Sequence, residues 1–325
     1  MTELIATLRD AFGWRATVEV LAGPRGALGQ IWRVDVGSER YALKEIFAEP
    51  PSEALIEAEL ALAHRAAEAS VRFPKSHPDR TGHYLLAAPS GGWLRLYDWV
   101  DLRPLDLTAK ATPRDLGTLL ARLHKCAPAA TTELGGGVPD PWYDTVPATH
   151  RWAEAADSEA CWTARLADRL TTLPNLCESV TSTKLDELIV CHRDLHPENV
   201  LADPAGALVV VDWDNLGPAE PPRELARALF DWYCDGPTPD MPAMRAMYEA
   251  YVREDGQGRV TEQTDFSMLI AGRLNFLLKQ TTIALDPQVE LHHREWAERE
   301  IDEALRTLPT PEQLTNVLTL TRTAS

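Results

Sequence analysis

Cys191-His192-Arg193-Asp194-Leu195-His196-Pro197-Glu198-Asn199-Val200-Leu201 is a stretch that gathers thiol, imidazole, guanidinium, carboxylate and amide side chains within eleven residues. A short apolar run, Leu208-Val209-Val210-Val211, follows it and ends in Asp212-Trp213-Asp214. His-x-Asp-x-x-x-x-Asn, then a buried strand delivering an Asp, fixes three oxygen-bearing side chains at set separations. Asp194 can orient a hydroxyl and take its proton. The Asn199 amide and the Asp212 carboxylate are hard oxygen ligands of the kind that hold Mg²⁺. Phosphoryl transfer asks for these parts, because it needs positioning and charge neutralisation more than covalent help. A lone His-x-Asp is often a hydrogen-bonded turn; the joint pattern is far more specific.

On these residues the chain resembles the kinase superfamily and, within it, the aminoglycoside phosphotransferase and choline kinase group. The resemblance implies an α+β, bilobal protein-kinase-like fold: a small N-terminal lobe with an antiparallel sheet and one helix, then a larger, mainly helical lobe. It implies ATP and Mg²⁺ as cofactors, Asp194 as catalytic base, and Asn199 and Asp212 as metal ligands. His192 would brace the loop. Asp214 is a candidate for the metal or a substrate amine, with capping of the following turn as its plain structural role. Leu116 to His124 looks like the Leu-x-x-Leu-His helix of the small-molecule group, where His124 reads as a satisfied core histidine.

Residues 16–22, 30–36 and 39–46 read as three strands, and 52–69 as a helix with Ser52 at its N-cap. Further strands are expected at 83–88 and 93–100. Beyond Pro104 helices dominate, at 113–125, 148–171, 222–233, 241–254, 262–284 and 288–307, interrupted by one strand at 207–211. The division falls into residues 1–97, a nucleotide-binding lobe, and 98–325, a catalytic and substrate-binding lobe. Lys44 matches the strand lysine that meets the nucleotide phosphates. Glu59 falls on the apolar arc of its helix with Leu55, Ile56, Leu62 and Ala63, so it faces inward and needs a cation. Lys44 is the partner expected for it. Gly26 and Gly29 belong to the loop expected to cover phosphate, and Tyr97, Trp99 and Val100 to the strand expected to meet adenine.

After Asp212 the chain reaches Pro218–Pro222 and a helix almost at once, which leaves no room for the long activation segment of protein kinases. The acceptor is therefore expected to be a small-molecule alcohol. Trp142, Tyr143, Asp214, Asp231 and Asp235 are the candidate acceptor contacts, since acids beside aromatics suit an amine. The formal net charge of −17 argues against a nucleic-acid partner and favours a cationic acceptor. An aminoglycoside or basic peptide antibiotic, modified as in antibiotic resistance, leads. A metabolic kinase for choline, ethanolamine, homoserine or a sugar comes second, and a nucleotide-binding pseudokinase is the non-catalytic alternative. No apolar run reaches membrane-spanning length, the N-terminal stretch reads as an amphipathic surface helix and not a signal peptide, and five scattered cysteines suit a reducing cytoplasm.

Overall fold

A computed structural model describes residues 1–25, 29–47, 49–131 and 137–324, with the backbone alone at 153–154. Two compact units emerge: Met1–Pro104 with Asn199–Asp214, and Leu105–Glu198 with Asn215–Ser325. A cut at 97/98 falls one residue before the end of the strand Trp93–Asp98 and assigns residues 98–104 and 199–214 differently.

The first unit begins with helix α1 (Thr2–Phe12) and strands β1 (Val18–Arg25), β2 (Gly29–Val36) and β3 (Glu39–Ile46). Helix α2 (Glu53–Glu68) and strands β4 (Ser76–His77), β5 (Leu86–Ala87) and β6 (Trp93–Asp98) follow. The strands form one antiparallel sheet in the order β1-β2-β3-β6-β4, with β5 also on β6. Alternation decides what each face carries. Val34, Val36, Leu43, Leu94 and Leu96 build the apolar core with Leu8 of α1. Lys44 lies directly opposite Arg95 in the β3–β6 register, so their side chains leave the sheet on its other face. Ser52 caps α2 as expected, its Oγ accepting from Leu55 N at 3.2 Å. The strand expected at 83–88 shrinks to Leu86–Ala87, because Asp79 Oδ1 accepts from Thr81 N and His83 N at 2.8 and 2.9 Å and holds a turn before it.

A hairpin of two short strands completes this unit; they are numbered β8 (Val200–Ala202) and β9 (Leu208–Val210) in chain order. It joins the N-terminal residues through bridges from Arg103 to Ala202 and from Arg72 to Val209. The Arg72 Nη1–Asp203 Oδ2 ion pair at 2.5 Å and the edge contact of Phe73 with Trp213 tie it further. These contacts carry the strand expected at 207–211 into the sheet-containing unit.

The second unit contains α3 (Thr112–Cys126), α4 (Pro141–Asp144), α5 (Ala153–Ala156), α6 (Thr163–Leu170), α7 (Leu173–Glu178) and β7 (Ile189–Cys191). After the hairpin come β10 (Gly217–Ala219), antiparallel to β7, then α8 (Pro221–Tyr233), α9 (Met241–Arg253), α10 (Ser267–Leu285), α11 (Leu291–Thr307) and α12 (Pro311–Thr323). Leu274 and Leu277 of α10, Phe230 of α8 and Phe266 are fully buried at its centre. The single helix expected over 148–171 is instead a 3-10 turn, α5 and α6. Ser158 Oγ donates to Ala155 O and bonds Thr163 Oγ1, offering the backbone a local alternative to helix continuation. Among the described residues no helix is long and apolar enough to cross a membrane.

Candidate functional site

In the first unit Lys44 Nζ donates to Asp212 Oδ1 at 2.8 Å and to Asp214 Oδ2 at 2.6 Å. Asp212 sits at φ 58°, in the left-handed region where a non-glycine residue is strained. Asp214 thus serves Lys44. Burial alone would lower the ammonium's pKa, but the two carboxylates outweigh it and raise it above its ordinary value. Val211 N–H donates to Asn199 O at 2.9 Å, which extends the hairpin pairing and brings positions 199 and 212 side by side. One amide and two carboxylates on adjoining positions form a hard oxygen donor set. The ammonium bonded to both carboxylates shows that they converge on a single positive charge. The set fits a divalent cation such as Mg²⁺.

Glu59 faces inward as its spacing requires, but its partner is not Lys44. Arg95 Nη1 and Nη2 donate to its two oxygens at 2.6 and 3.1 Å. Both side chains are almost fully buried. Burial pushes the Glu59 carboxyl up, against the pull of Arg95. Lys44 is bonded to the two aspartates, and the rigid Arg95 guanidinium fork matches the Glu59 carboxylate edge to edge.

Gly26 lies outside the described residues. Gly29 opens β2, and a Cβ there would stand 2.5 Å from Glu45 O, so close approach of β3 accounts for the glycine. Tyr97 lies in β6 with the Arg95 guanidinium over its ring at 5.1 Å. Trp99 and Val100 follow the end of β6 and are half-buried, and Trp99 Nε1 donates to Asp101 Oδ1 at 2.8 Å.

In the second unit Asp194 is held from two sides. Asn215 Nδ2 donates to Oδ2 at 2.9 Å and Arg227 Nη2 to Oδ1 at 2.6 Å. His196 Nε2 lies 3.6 Å from Oδ2. Burial would raise this carboxyl; the bond from His196 and the charges of Arg227, His196 and His192 outweigh it and hold it well below the usual carboxylate range. Such a group is a weak resting base and a strong orienting acceptor.

The preceding residue, Arg193, is at φ 63°. Glu224 of α8 accepts its N–H, and Glu224 Oε2 also bonds the buried His124 Nε2 at 2.7 Å, with Tyr251 Oη on the other ring nitrogen. His124 is therefore a satisfied core histidine that braces the loop. The Arg193 side chain donates to Asn215 O and Leu216 O at 2.6 and 3.2 Å. A Cβ on Gly217 would stand 2.6 Å from Arg193 Cζ, so only glycine leaves room for that guanidinium. Trp232 Nε1 donates to Leu195 O at 2.7 Å. Helix α8 thus fastens the loop at three successive residues.

The expected acceptor contacts are already engaged. The Tyr143 ring lies between the guanidinium groups of Arg193 and Arg227, at 4.8 and 5.3 Å, and Lys279 Nζ lies over Trp142 at 5.7 Å. Asp231 binds Arg227 and Arg273 at 3.0 and 2.8 Å, and Asp235 pairs with Arg306. The protein's own cations occupy the places foreseen for a substrate amine. Arg95, Asn215, Glu224 and Arg227 were not foreseen. A signal existed for two of them: Glu224 and Arg227 share one face of α8 with Arg223 and Asp231, two acids beside two arginines on a helix otherwise rich in Leu, Ala and aromatic residues.

Residues 19–266 match the phosphotransferase enzyme family. No curated protein matches the chain in sequence. Solved structures share its fold. A spectinomycin phosphotransferase in complex with ADP and spectinomycin superposes with TM-score 0.64 at 15% identity, over 99% of this chain and 98% of that one. An amicoumacin kinase in complex with AMP-PNP, Ca²⁺ and Ami gives 0.60 at 15% over 97% and 96%. A microcompartment-associated aminopropanol kinase gives 0.61 at 20% over 93% and 94%. At these identities the likeness is one of fold.

Proposed function

The chain belongs to the phosphotransferase enzyme family, and we propose that it transfers the γ-phosphate of ATP to a hydroxyl of a small molecule, with Mg²⁺. The observation that carries this reading is Lys44 bonded to both Asp212 and Asp214 on the hairpin that also bears Asn199. Lys44 would bind the nucleotide phosphates, and Asn199 and Asp212 would hold the metal, which supplies neutralisation of phosphate charge when bound. Asp194 would orient the acceptor hydroxyl. Its depressed pKa suits late proton transfer, because a loose transition state asks little of a base in the ground state. Glu59 with Arg95 would fix α2, and Tyr97, Trp99 and Val100 remain the proposed adenine contacts. Structures of this fold solved with ADP or with AMP-PNP and Ca²⁺ support a nucleotide with a divalent ion.

Two acceptor classes rest on two observations. The net charge of −17 favours a cation such as an aminoglycoside or basic peptide antibiotic, drawn in by the field. Engagement of Trp142, Tyr143, Asp231 and Asp235 with resident cations favours an acceptor of low charge, such as an amino alcohol or sugar. ADP release with Mg²⁺ and ATP across aminoglycosides, basic peptide antibiotics, choline, ethanolamine, homoserine and simple sugars tests both. A polycation's KM should rise steeply with salt; a neutral acceptor's should not. ATP binding without transfer to any acceptor would leave the nucleotide-binding pseudokinase.

A further inference from the structure

Arg227 uses three nitrogens of its guanidinium on three acceptors. Nη2 donates to Asp194 Oδ1 at 2.6 Å, Nη1 to Arg193 O at 2.5 Å, and Nε to Asp231 Oδ2 at 3.0 Å. Glu224, one helical turn earlier on the same face of α8, accepts the Arg193 N–H. The helix therefore grips the left-handed Arg193 residue at both ends, by its N–H through Glu224 and by its C=O through Arg227. Asp231 is held in turn by Arg273 Nη2 at 2.8 Å, and the Tyr143 ring lies against the Arg227 guanidinium. A fork bonded through all three of its nitrogens at a strained residue leaves the Asp194 carboxylate little rotational freedom.

We propose that Arg227 is a positioning residue for the transfer reaction: it fixes the main chain at Arg193 and the carboxylate of Asp194 together, so that the acceptor hydroxyl meets an oriented oxygen. This rests on Asp194 being the orienting group. Loss of Arg227 does not strand Asp231, which keeps Arg273, so the fold should survive substitution.

The test compares wild type, Arg227→Gln, Arg227→Lys and Asp194→Asn, using ADP release with Mg²⁺, ATP and the most active acceptor of the panel. Arg227→Gln should lower kcat by about 100-fold, the scale of a mispositioned reacting group, with KM for ATP held within about twofold. Arg227→Lys should recover part of kcat, since one ammonium can keep the bond to Asp194 but not the whole fork. Arg227→Gln with kcat within about twofold of wild type, beside an inactive Asp194→Asn, would overturn the Arg227 proposal alone. A loss in Arg227→Gln that comes with a raised KM for ATP and no recovery in Arg227→Lys would overturn it as well, marking a general structural role. An active Asp194→Asn would instead overturn the reading of Asp194 beneath it. The contact is also readable without any acceptor, from melting temperatures of Arg227→Gln, Asp194→Asn and their double variant. Shifts that depart from additivity by about 2 °C or more support it, and additive shifts sink it.

Discussion

Arg95 Nη1 lies 2.6 Å from Glu59 Oε2, and this pair joins β6 to α2 inside the first unit with both side chains almost wholly out of water. Breaking a buried pair by removing one partner leaves an uncompensated charge. Arg95→Met should therefore cost about 3–5 kcal/mol in urea unfolding. The double variant Arg95→Met, Glu59→Met should be more stable than Arg95→Met alone, because it strands no charge. A double variant no more stable than Arg95→Met would argue against the pair.

Lys44→Met removes the ammonium shared by Asp212 and Asp214. Those carboxylates are 45% and 35% exposed, so water can replace the lost bonds and the fold should hold. KM for ATP should rise by about 10-fold or more, the value of a charge-assisted hydrogen bond. Steady-state kinetics at fixed Mg²⁺ check this, and an unchanged KM would remove Lys44 from the nucleotide site.

Asp194→Asn keeps the shape but loses the acceptor charge. Transfer should fall by about 10²–10⁴-fold while ATP binding by calorimetry stays near wild type. Loss of ATP binding in this variant would point to a collapsed loop.

His196 has its pKa raised: burial would lower it, but the bond and charge of Asp194, with the charge of Asp231, outweigh that. A raised histidine adds stability that is complete below the unfolded value of about 6.5 and fades as pH climbs through the folded value. The melting-temperature gap between wild type and His196→Gln should thus be wider at acid pH than at alkaline pH. An equal gap at both ends would show that His196 carries no such linkage.

Gly217→Ala would set a methyl group against the Arg193 guanidinium, which is pinned to two backbone carbonyls. Overpacking of this kind should cost about 1–3 kcal/mol, visible in the denaturation midpoint.

Local pattern carried the strands β1 to β3, the cap at Ser52 and most long helices, because periodicity and capping act within a few residues. Helix α12 was equally legible and was not read: Thr310-Pro311-Glu312-Gln313 is a capping box with proline at the first turn, and the structure shows both reciprocal bonds. Asp231 and Tyr143 read as pocket walls because composition reports which groups exist, not which partner reaches them first. Arg273 and Arg193, distant in sequence, reach them in the fold.

The amino-acid order alone laid out the chemical groups: Lys44 in an alternating run, Glu59 three or four residues from apolar neighbours, Asp194 and Asn199 five residues apart, and Asp212 at the end of an apolar run. Spacing of that sort is covalent, and it needs no folding to be true. The pairing of charges came from tertiary packing. Lys44 went to the two aspartates, Glu59 to Arg95, and Arg227 to Asp194. Each choice depends on which cation comes within about 3 Å of a carboxylate, and that is set by strand register and helix packing across the chain.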